Sequence, residues 1–420
     1  MRTLGFLLAG LPLVASFNHP GLLVSSNDVS RLKGKLAANL APWKTSWEVL
    51  TSMDSGNVPY TPQAVEGNTS YADAAADILT SWAETLTSLG ANDDQYIVAG
   101  LQGHEMANAG ELLRDYAPFR ENGLASFQTM MQEVFLEKNM YFLNHLDGSE
   151  HNVLHFFANW ELAQVASVLA IGVLTDNKTT WDFGINYFKN GSGNGAIKNA
   201  ITTIVEEPGT GRPLGQGQEE GRDQGHSSLD YALLGVIAQQ AWNQGEDLYA
   251  YNNSAILLGA EYFARYNLGY DVPFVNYTNG IMGWEVLYNH YVKIKGQDAP
   301  WTTKYWNLAL ETWGTEIGSG AYGSPAVSGY YDTLGWGTIL YRLDDSDMAA
   351  ARAASGSSLS SSIPSFIPSS VPYSVASSSK AASSSTSSTT FPLSAPISTA
   401  PSFSTMVKAS PASSSSLNLL

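Results

Sequence analysis

The stretch FFANWELAQVASVLAIGVL, residues 156–174, is apolar nearly all the way round at helical spacing, so it cannot lie on a surface with one wet face. A helix of this kind must be covered on most sides, and the rest of the sequence supplies the cover. In YADAAADILTSWAETLTSLG, Ile78, Trp82, Leu86 and Leu89 recur on one helical face, and Gly90 predicts the stop. AGLQGHEMANAGELLRDYAP repeats the pattern and closes at a proline, and LDYALLGVIAQQAW and NSAILLGAEYFARYNLG follow, each ending in a polar or glycine turn. Long alternating strand patterns are scarce, and GTGRPLGQGQ reads as a glycine-rich loop. The expected class is all-α, a single (α/α) toroid or incomplete barrel of helical hairpins over residues 17–350.

The two ends of the chain differ from this middle. MRTLGFLLAGLPLVAS has one basic residue, a short apolar run and small residues at Val14 and Ser16, the pattern of a secretory signal over residues 1–16. Asn68, Asn177, Asn190, Asn252 and Asn276 each begin an N-glycosylation sequon, which fits the same route. There is no cysteine, so the apolar core must hold the fold without disulfides, as a domain of this length can. Residues 351–420 are serine, threonine, alanine and proline almost without charge. SSSKAASSSTSST has too little apolar surface to offset its ordering entropy and predicts a disordered tail. Secreted fungal enzymes often carry such tails, and an extracellular monomer is the expectation.

The formal charge of −17 argues against nucleic acid and anionic membranes as partners, because both favour a basic face. A polyanion can bind only where the scarce cations gather. EEGRDQGHSSLDY, residues 219–231, is one such place: Arg222, Asp223, Gln224 and His226 fall within five residues where a loop gives way to a helix. Ser227 or Ser228 is expected to cap a helix starting near Leu229. His226 would then lie just ahead of a helix N-terminus, where the dipole favours a neutral imidazole able to accept a proton. The plainer reading is that Arg222 and Asp223 tie a loop to its neighbour.

Two further clusters stand out. Asn159 lies in the apolar helix, where a buried amide needs a partner, either a neighbouring loop or a ligand. WEVLYNHY places Tyr288 and Tyr291 three apart, hence on one helical face with His290 turned away, and puts Glu285 three before Tyr288, able to orient the phenol or an arginine. Tyrosines so spaced are more often core than site.

Taken in order, AADILTSWAETL, LQGHEMANAGELLR, FFANWELAQVASVLAIGVL, EEGRDQGHSSLDYALLG, WEVLYNHY and YDTLGWGTILYRL make the chain resemble the alginate-lyase-like polysaccharide lyases, particularly the family 38 glucuronan and alginate lyases. The resemblance spans most of residues 70–341. It implies an α/α toroid that cleaves a uronic-acid polymer by β-elimination without metal or cofactor. The C5 proton of a uronate is only weakly acidic, so its carboxylate must be neutralised while a base takes the proton and an acid protonates O4. By resemblance, Asn159 and His226 stabilise the carboxylate, with His226 also a candidate base. Tyr288 is the first choice for the proton-handling tyrosine and Tyr291 the second. The arginine expected just before that tyrosine is missing from GIMGWEVLYNHY, leaving Arg222, Lys293 or Lys295 to supply the charge. Trp160, Glu220, Gln224, Trp284, Glu285, His290 and Lys293 are expected to line the substrate groove.

Two other functions fit the same residues. A glycoside hydrolase on a similar toroid would use paired carboxylates from Glu219, Glu220, Asp223 and Glu285. A non-catalytic cell-wall polysaccharide-binding protein would use the tryptophans as stacking platforms.

Overall fold

A computed structural model describes residues 16–52, 69–146, 152–270, 284–314 and 336–349. The signal segment 1–15, the tail from residue 350, and the sequons at Asn68 and Asn276 lie outside the described residues. The compact unit containing the described residues runs to Ala349.

The all-α class is as expected. The helices used below are α1 (Ser26–Ala37), α2 (Trp43–Ser52), α3 (Thr69–Thr85), α4 (Asp94–Leu112), α5 (Ala158–Leu174), α6 (Lys178–Asn190), α7 (Gln224–Asn243), α8 (Tyr251–Asn267), α9 (Trp284–Tyr288) and α10 (Pro300–Trp313). Among the described residues one antiparallel pair of strands interrupts them, β1 (Ile201–Glu206) with β2 (Pro213–Gly217). That hairpin corrects the loop reading of GTGRPLGQGQ, whose second half is β2. β2 reads Pro-Leu-Gly-Gln-Gly, and with glycine at 215 and 217 too few side chains alternate to mark a strand in the sequence.

At the centre is α5, every residue of which is buried except Trp160. It packs against α4, α6 and α7. The α4 contact is close because α4 presents glycines: a Cβ at Gly100 would lie 2.6 Å from the Ala163 Cβ, and one at Gly103 would lie 2.2 Å from the Ser167 Oγ. Either substitution forces the helices apart. The polar groups of α5 are satisfied internally, as burial demands. Asn139 donates to Gln164 (2.6 Å), Gln164 to the Tyr96 carbonyl (2.6 Å), and Ser167 to Asn139 (2.9 Å).

The buried face of α3 differs from the expected one. Ala72, Ala75, Ala76 and Leu79 form it, while Ile78, Trp82, Leu86 and Leu89 are half-buried, and the helix ends at Thr85 rather than at Gly90. Alanines let α3 sit close to its neighbours, and the larger residues cover the edge.

A smaller core joins the start of the described chain to its end. Leu32 of α1 and Trp43, Trp47 and Leu50 of α2 pack with Ile339. Lys35 pairs with Asp344 (2.7 Å) and Asp347 (2.8 Å). Ahead of α1, the segment 17–22 is stitched to the ends of α4, α6 and α7. The Phe17 ring meets Trp181 edge-on at 5.6 Å, Asn18 bonds Gln244 (2.9 Å), and His19 reaches Glu111 (2.5 Å) and Asp176 (3.0 Å).

Asn177 is the N-cap of α6, accepting from Thr180 N–H (3.1 Å); Asn190 is exposed at the end of α6. Asn252 is exposed in a left-handed turn (φ 51°) that leads into the regular part of α8.

Candidate active site

Two helix N-termini, those of α5 and α7, are tied to the segment 218–223. Ala158 N–H donates to the Gln218 side chain (3.0 Å), and Asn159 N–H to Glu219 Oε1 (2.9 Å). The Asn159 side-chain amide also donates to Glu219 Oε1. Arg222 Nη1 donates to Glu219 Oε2 (2.6 Å), and the Glu219 side chain is fully buried. Three donors from two elements therefore converge on one carboxylate. A carboxylate only accepts, so the Nδ2 of Asn159 must face it, which leaves the second N–H and Oδ1 of that amide for other partners.

Helix α7 begins earlier than the sequence suggests. Asp223 is its N-cap, accepting from His226 N–H (2.9 Å), so the helix starts at Gln224 and His226 lies inside its first turn. This corrects the Ser227 or Ser228 cap. Ser227 Oγ donates to the carbonyls of Glu219 (2.9 Å) and Asp223 (3.0 Å), and Ser228 Oγ to that of Gly225 (2.9 Å). With its hydroxyl so engaged, neither serine is free to cap, and an aspartate in front of a positive helix end is favoured anyway.

The same Asp223 carboxylate receives His226 Nδ1 at 2.6 Å. Burial works to raise the Asp223 carboxyl, but hydrogen bonds from the backbone N–H and the ring of His226, with the charge of Arg222, hold it below its ordinary range. The aspartate thereby fixes the imidazole tautomer with its proton on Nδ1 and a bare lone pair on Nε2. The His226 side chain is 42 % exposed, so that lone pair is reachable.

Arg222 also lies flat over the Phe157 ring, 3.9 Å from its centroid, and Phe157 itself is exposed. Beside it, Trp160 is half-buried against Phe156 (5.0 Å) and Phe142 (6.1 Å). Neither Phe157 nor this ring group is marked by spacing in the sequence.

Near Glu219 lie two more acids, Asp230 and Glu220, the second of which the sequence reading placed along the substrate groove. Asp230 is buried on α7; burial first, then the charge of Glu219, holds its carboxyl well above the usual range. Its Oδ1 is covered and takes no hydrogen bond among the described residues. Glu220 accepts from the Tyr231 hydroxyl (3.0 Å), and burial pushes its carboxyl up to about 7, with that hydroxyl opposing. Gln224 is buried, and its Oε1 has no partner among the described residues. One signal in the sequence could have found Asp230: it stands inside an otherwise apolar helix, and such a residue needs a partner.

The third predicted cluster is placed elsewhere. After α9 the chain continues as a π turn, Asn289–Ile294. The extra residue of that turn breaks the three-apart rule, and Tyr288 and Tyr291 meet different neighbours. Tyr288 stacks on Trp306 of α10 at 3.8 Å. Its phenol is raised by burial and by Glu285, with Arg342 opposing. Tyr291 is fully buried, donates to the Tyr249 carbonyl (2.9 Å) and is held well above its ordinary value by burial. With its hydroxyl committed and covered, Tyr291 belongs to the core, which corrects its place as second choice.

His290 is not turned away from Tyr291; both pack on Tyr249, His290 stacked at 3.6 Å. Burial lowers His290 to about 3, assisted by Lys295. It is a neutral core residue, not a groove residue. Trp284 is likewise buried, among Tyr231, Phe263 and Tyr305, which corrects its expected place against substrate. Glu285 is fully buried and orients an arginine, as one sequence reading allowed, but the arginine is Arg342 (2.5 and 3.0 Å). Lys293 lies half-buried on the π turn.

The structure therefore brings Asn159, Glu219, Arg222, Asp223 and His226 into one connected group, with the Glu220–Tyr231 pair and Asp230 next to it. Among the described residues, no hydrogen bond or ring contact joins Tyr288 to Asn159, Arg222 or His226. One arginine does come near Tyr288 from far along the chain: the Arg342 guanidinium lies 4.8 Å from the centre of the Trp306 ring on which Tyr288 stacks.

A comparison with curated proteins finds no match. The family model for alginate lyases matches residues 61–271, half of the chain, a span that contains this whole connected group. The chain belongs to the alginate lyase family, and is an enzyme of the polysaccharide lyase class.

Proposed function

We propose that this lyase cleaves a 1,4-linked uronic-acid polymer, glucuronan or alginate, by β-elimination and leaves a 4,5-unsaturated uronate at the new non-reducing end. The observation that carries this reading is the convergence of the α5 and α7 N-termini with Arg222, Asn159 and an accessible His226. Two positive helix ends and a guanidinium favour an anionic group in an otherwise acidic protein. Arg222 takes the uronate carboxylate, drawing charge from it so that C5 loses its proton more easily; Asn159, buried behind it on Glu219, shares that role by the resemblance to the family 38 enzymes. His226 Nε2 accepts that proton, the C5–H electron pair becomes the C4–C5 double bond, and the C4–O4 bond breaks. The departing O4 takes a proton from Tyr288, a role that rests on the resemblance to the family 38 enzymes.

The hydrolase alternative is weakened by where its carboxylates lie. Glu219 is taken by Asn159 and Arg222, Glu285 by Arg342, and Asp223 by the helix cap and His226. Glu220 alone is left, bonded through one oxygen by Tyr231, and hydrolysis of this kind needs a pair of carboxyls.

We further propose that residues 1–16 direct secretion and are removed, that the exposed Asn190 and Asn252 carry glycans, that residues 351–420 form a disordered tail, and that the enzyme acts extracellularly as a monomer. Among the described residues no helix is long and apolar enough to cross a membrane. The activity is tested by offering glucuronan, alginate, pectate and hyaluronan with a chelator present and following near-ultraviolet absorbance. Absorbance growing on glucuronan or alginate is the expected result, and an unchanged spectrum on all four polymers refutes the reading.

A further inference from the structure

Phe157 is an unusual residue for the place it holds. It is the N-cap of α5 (φ −67°, ψ 161°), where a short polar side chain ordinarily accepts a backbone N–H, and its ring makes no such bond. The capping is done instead by the segment 218–223: the Gln218 side chain takes Ala158 N–H (3.0 Å) and Glu219 takes Asn159 N–H (2.9 Å). Nor does Phe157 serve the core. Its neighbours Phe156 and Trp160 pack with one another and with Phe142, whereas Phe157 is exposed and meets no other aromatic ring among the described residues. What it does meet is Arg222, whose guanidinium carbon lies 3.9 Å from the centre of its ring.

The geometry points to Phe157 as a positioning residue: we infer that its ring holds Arg222 in place for the sugar carboxylate, without touching that carboxylate itself. This inference rests on the proposed lyase site and adds a residue to it. The guanidinium is held on two sides. Nη1 donates to Glu219 Oε2 (2.6 Å), Nε lies 3.7 Å from Asp223 Oδ2, and the Phe157 ring closes one face. Nη2 takes no hydrogen bond among the described residues, and the Arg222 side chain is 32 % exposed, so the N–H groups of Nη2 remain for a ligand oxygen. A long, flexible side chain loses rotamer freedom when it binds an anion, and one already fixed against a ring loses less. The Asp223 carboxylate beside Arg222 also receives the His226 ring at 2.6 Å, so a displaced guanidinium is felt at the imidazole as well. The exchange between the two elements is reciprocal. Segment 218–223 caps α5, and the residue relieved of capping supplies the platform for that segment's arginine.

Phe157→Leu keeps an apolar N-cap and removes the ring face, leaving Arg222 charged but without its platform. On glucuronan or alginate, whichever the wild type cuts, kcat/KM should fall about tenfold. Phe157→Tyr restores the face and should stay within about threefold of wild type. Arg222→Lys separates this role from direct contact between ring and sugar, because lysine keeps a charge beside Glu219 without the planar group. In the Arg222→Lys background, Phe157→Leu should cost no more than about twofold. The same loss in both backgrounds would place the ring against the sugar itself and overturn the inference. A Phe157→Leu enzyme at the wild-type rate, or a Phe157→Tyr enzyme as impaired as Phe157→Leu, overturns it too. Unfolding in urea supplies a readout independent of catalysis. The drop in midpoint caused by Phe157→Leu should be smaller in the Arg222→Lys background than in the wild type, and an equal drop overturns the pairing. If the wild type cuts no uronan, the lyase reading fails, yet the unfolding cycle still decides whether Phe157 holds Arg222.

Discussion

Replacing Arg342 with methionine tests how the end of the described chain supports α9. Glu285 has a fully buried side chain and takes Arg342 in a two-pronged bond at 2.5 and 3.0 Å. Among the described residues Asn289 (2.8 Å) and the Thr338 hydroxyl (3.5 Å) also reach it, and neither carries charge. Arg342→Met keeps most of the side-chain volume but takes this cation away from a buried carboxylate, a change that costs about 3–5 kcal/mol. At about 2–4 °C per kcal/mol, and at the low end for a unit this long, Tm should fall by roughly 6–10 °C. Activity should fall as well, because the guanidinium lies over Trp306 and Trp306 stacks on Tyr288. The assay is thermal unfolding by circular dichroism, with Glu285→Gln/Arg342→Met alongside. The double variant removes the stranded charge and should recover most of the lost Tm. A single variant within about 2 °C of wild type, as for an exposed ion pair, would refute the reasoning.

His226→Ala should lower kcat on the preferred uronan by about 10²–10⁴-fold with little change in Tm, measured by initial rates of double-bond formation. Tyr288→Phe should lose a comparable factor; full activity in that variant removes Tyr288 from the proton-handling role. The His19 clasp gives a pH effect of known sign. Glu111, by hydrogen bond, raises the imidazole above its ordinary 6.5, with Asp176 adding and both burial and Arg114 opposing. The stabilisation is thus complete below about 6.5 and is lost as pH rises through the folded value. Tm of His19→Gln should lie below wild type at pH 5.5 and approach it at pH 8; a gap that is constant with pH contradicts the clasp. Protein secreted from a eukaryotic host and treated with an N-glycosidase should show asparagine-to-aspartate conversion at Asn190 and Asn252, read by peptide mass.

The central helix was legible because nothing in residues 158–174 allows a wet face, and burial of the whole segment follows from composition alone. The start of α7 was not, because Asp223, Ser227 and Ser228 are all good caps, and only the tertiary bonds of Ser227 to Glu219 and Asp223 remove it from the choice. The β2 strand was hidden by its glycines, which carry no pattern of polarity. Tyr288 and Tyr291 were paired by a spacing rule that holds for an α-helix and fails in a π turn. Asn159 and Arg222 were singled out, but what joins them was not. Glu219 lies sixty residues from Asn159 in sequence, and only folding brings its carboxylate under both.

The most direct measurement is the mass of the oligosaccharides released from glucuronan or alginate by the purified enzyme. β-Elimination predicts fragments one water lighter than hydrolytic ones, absorbing in the near ultraviolet, and their loss in His226→Ala. Fragments that have gained water, or the same unsaturated products at the wild-type rate from His226→Ala, would contradict the assignment of this site.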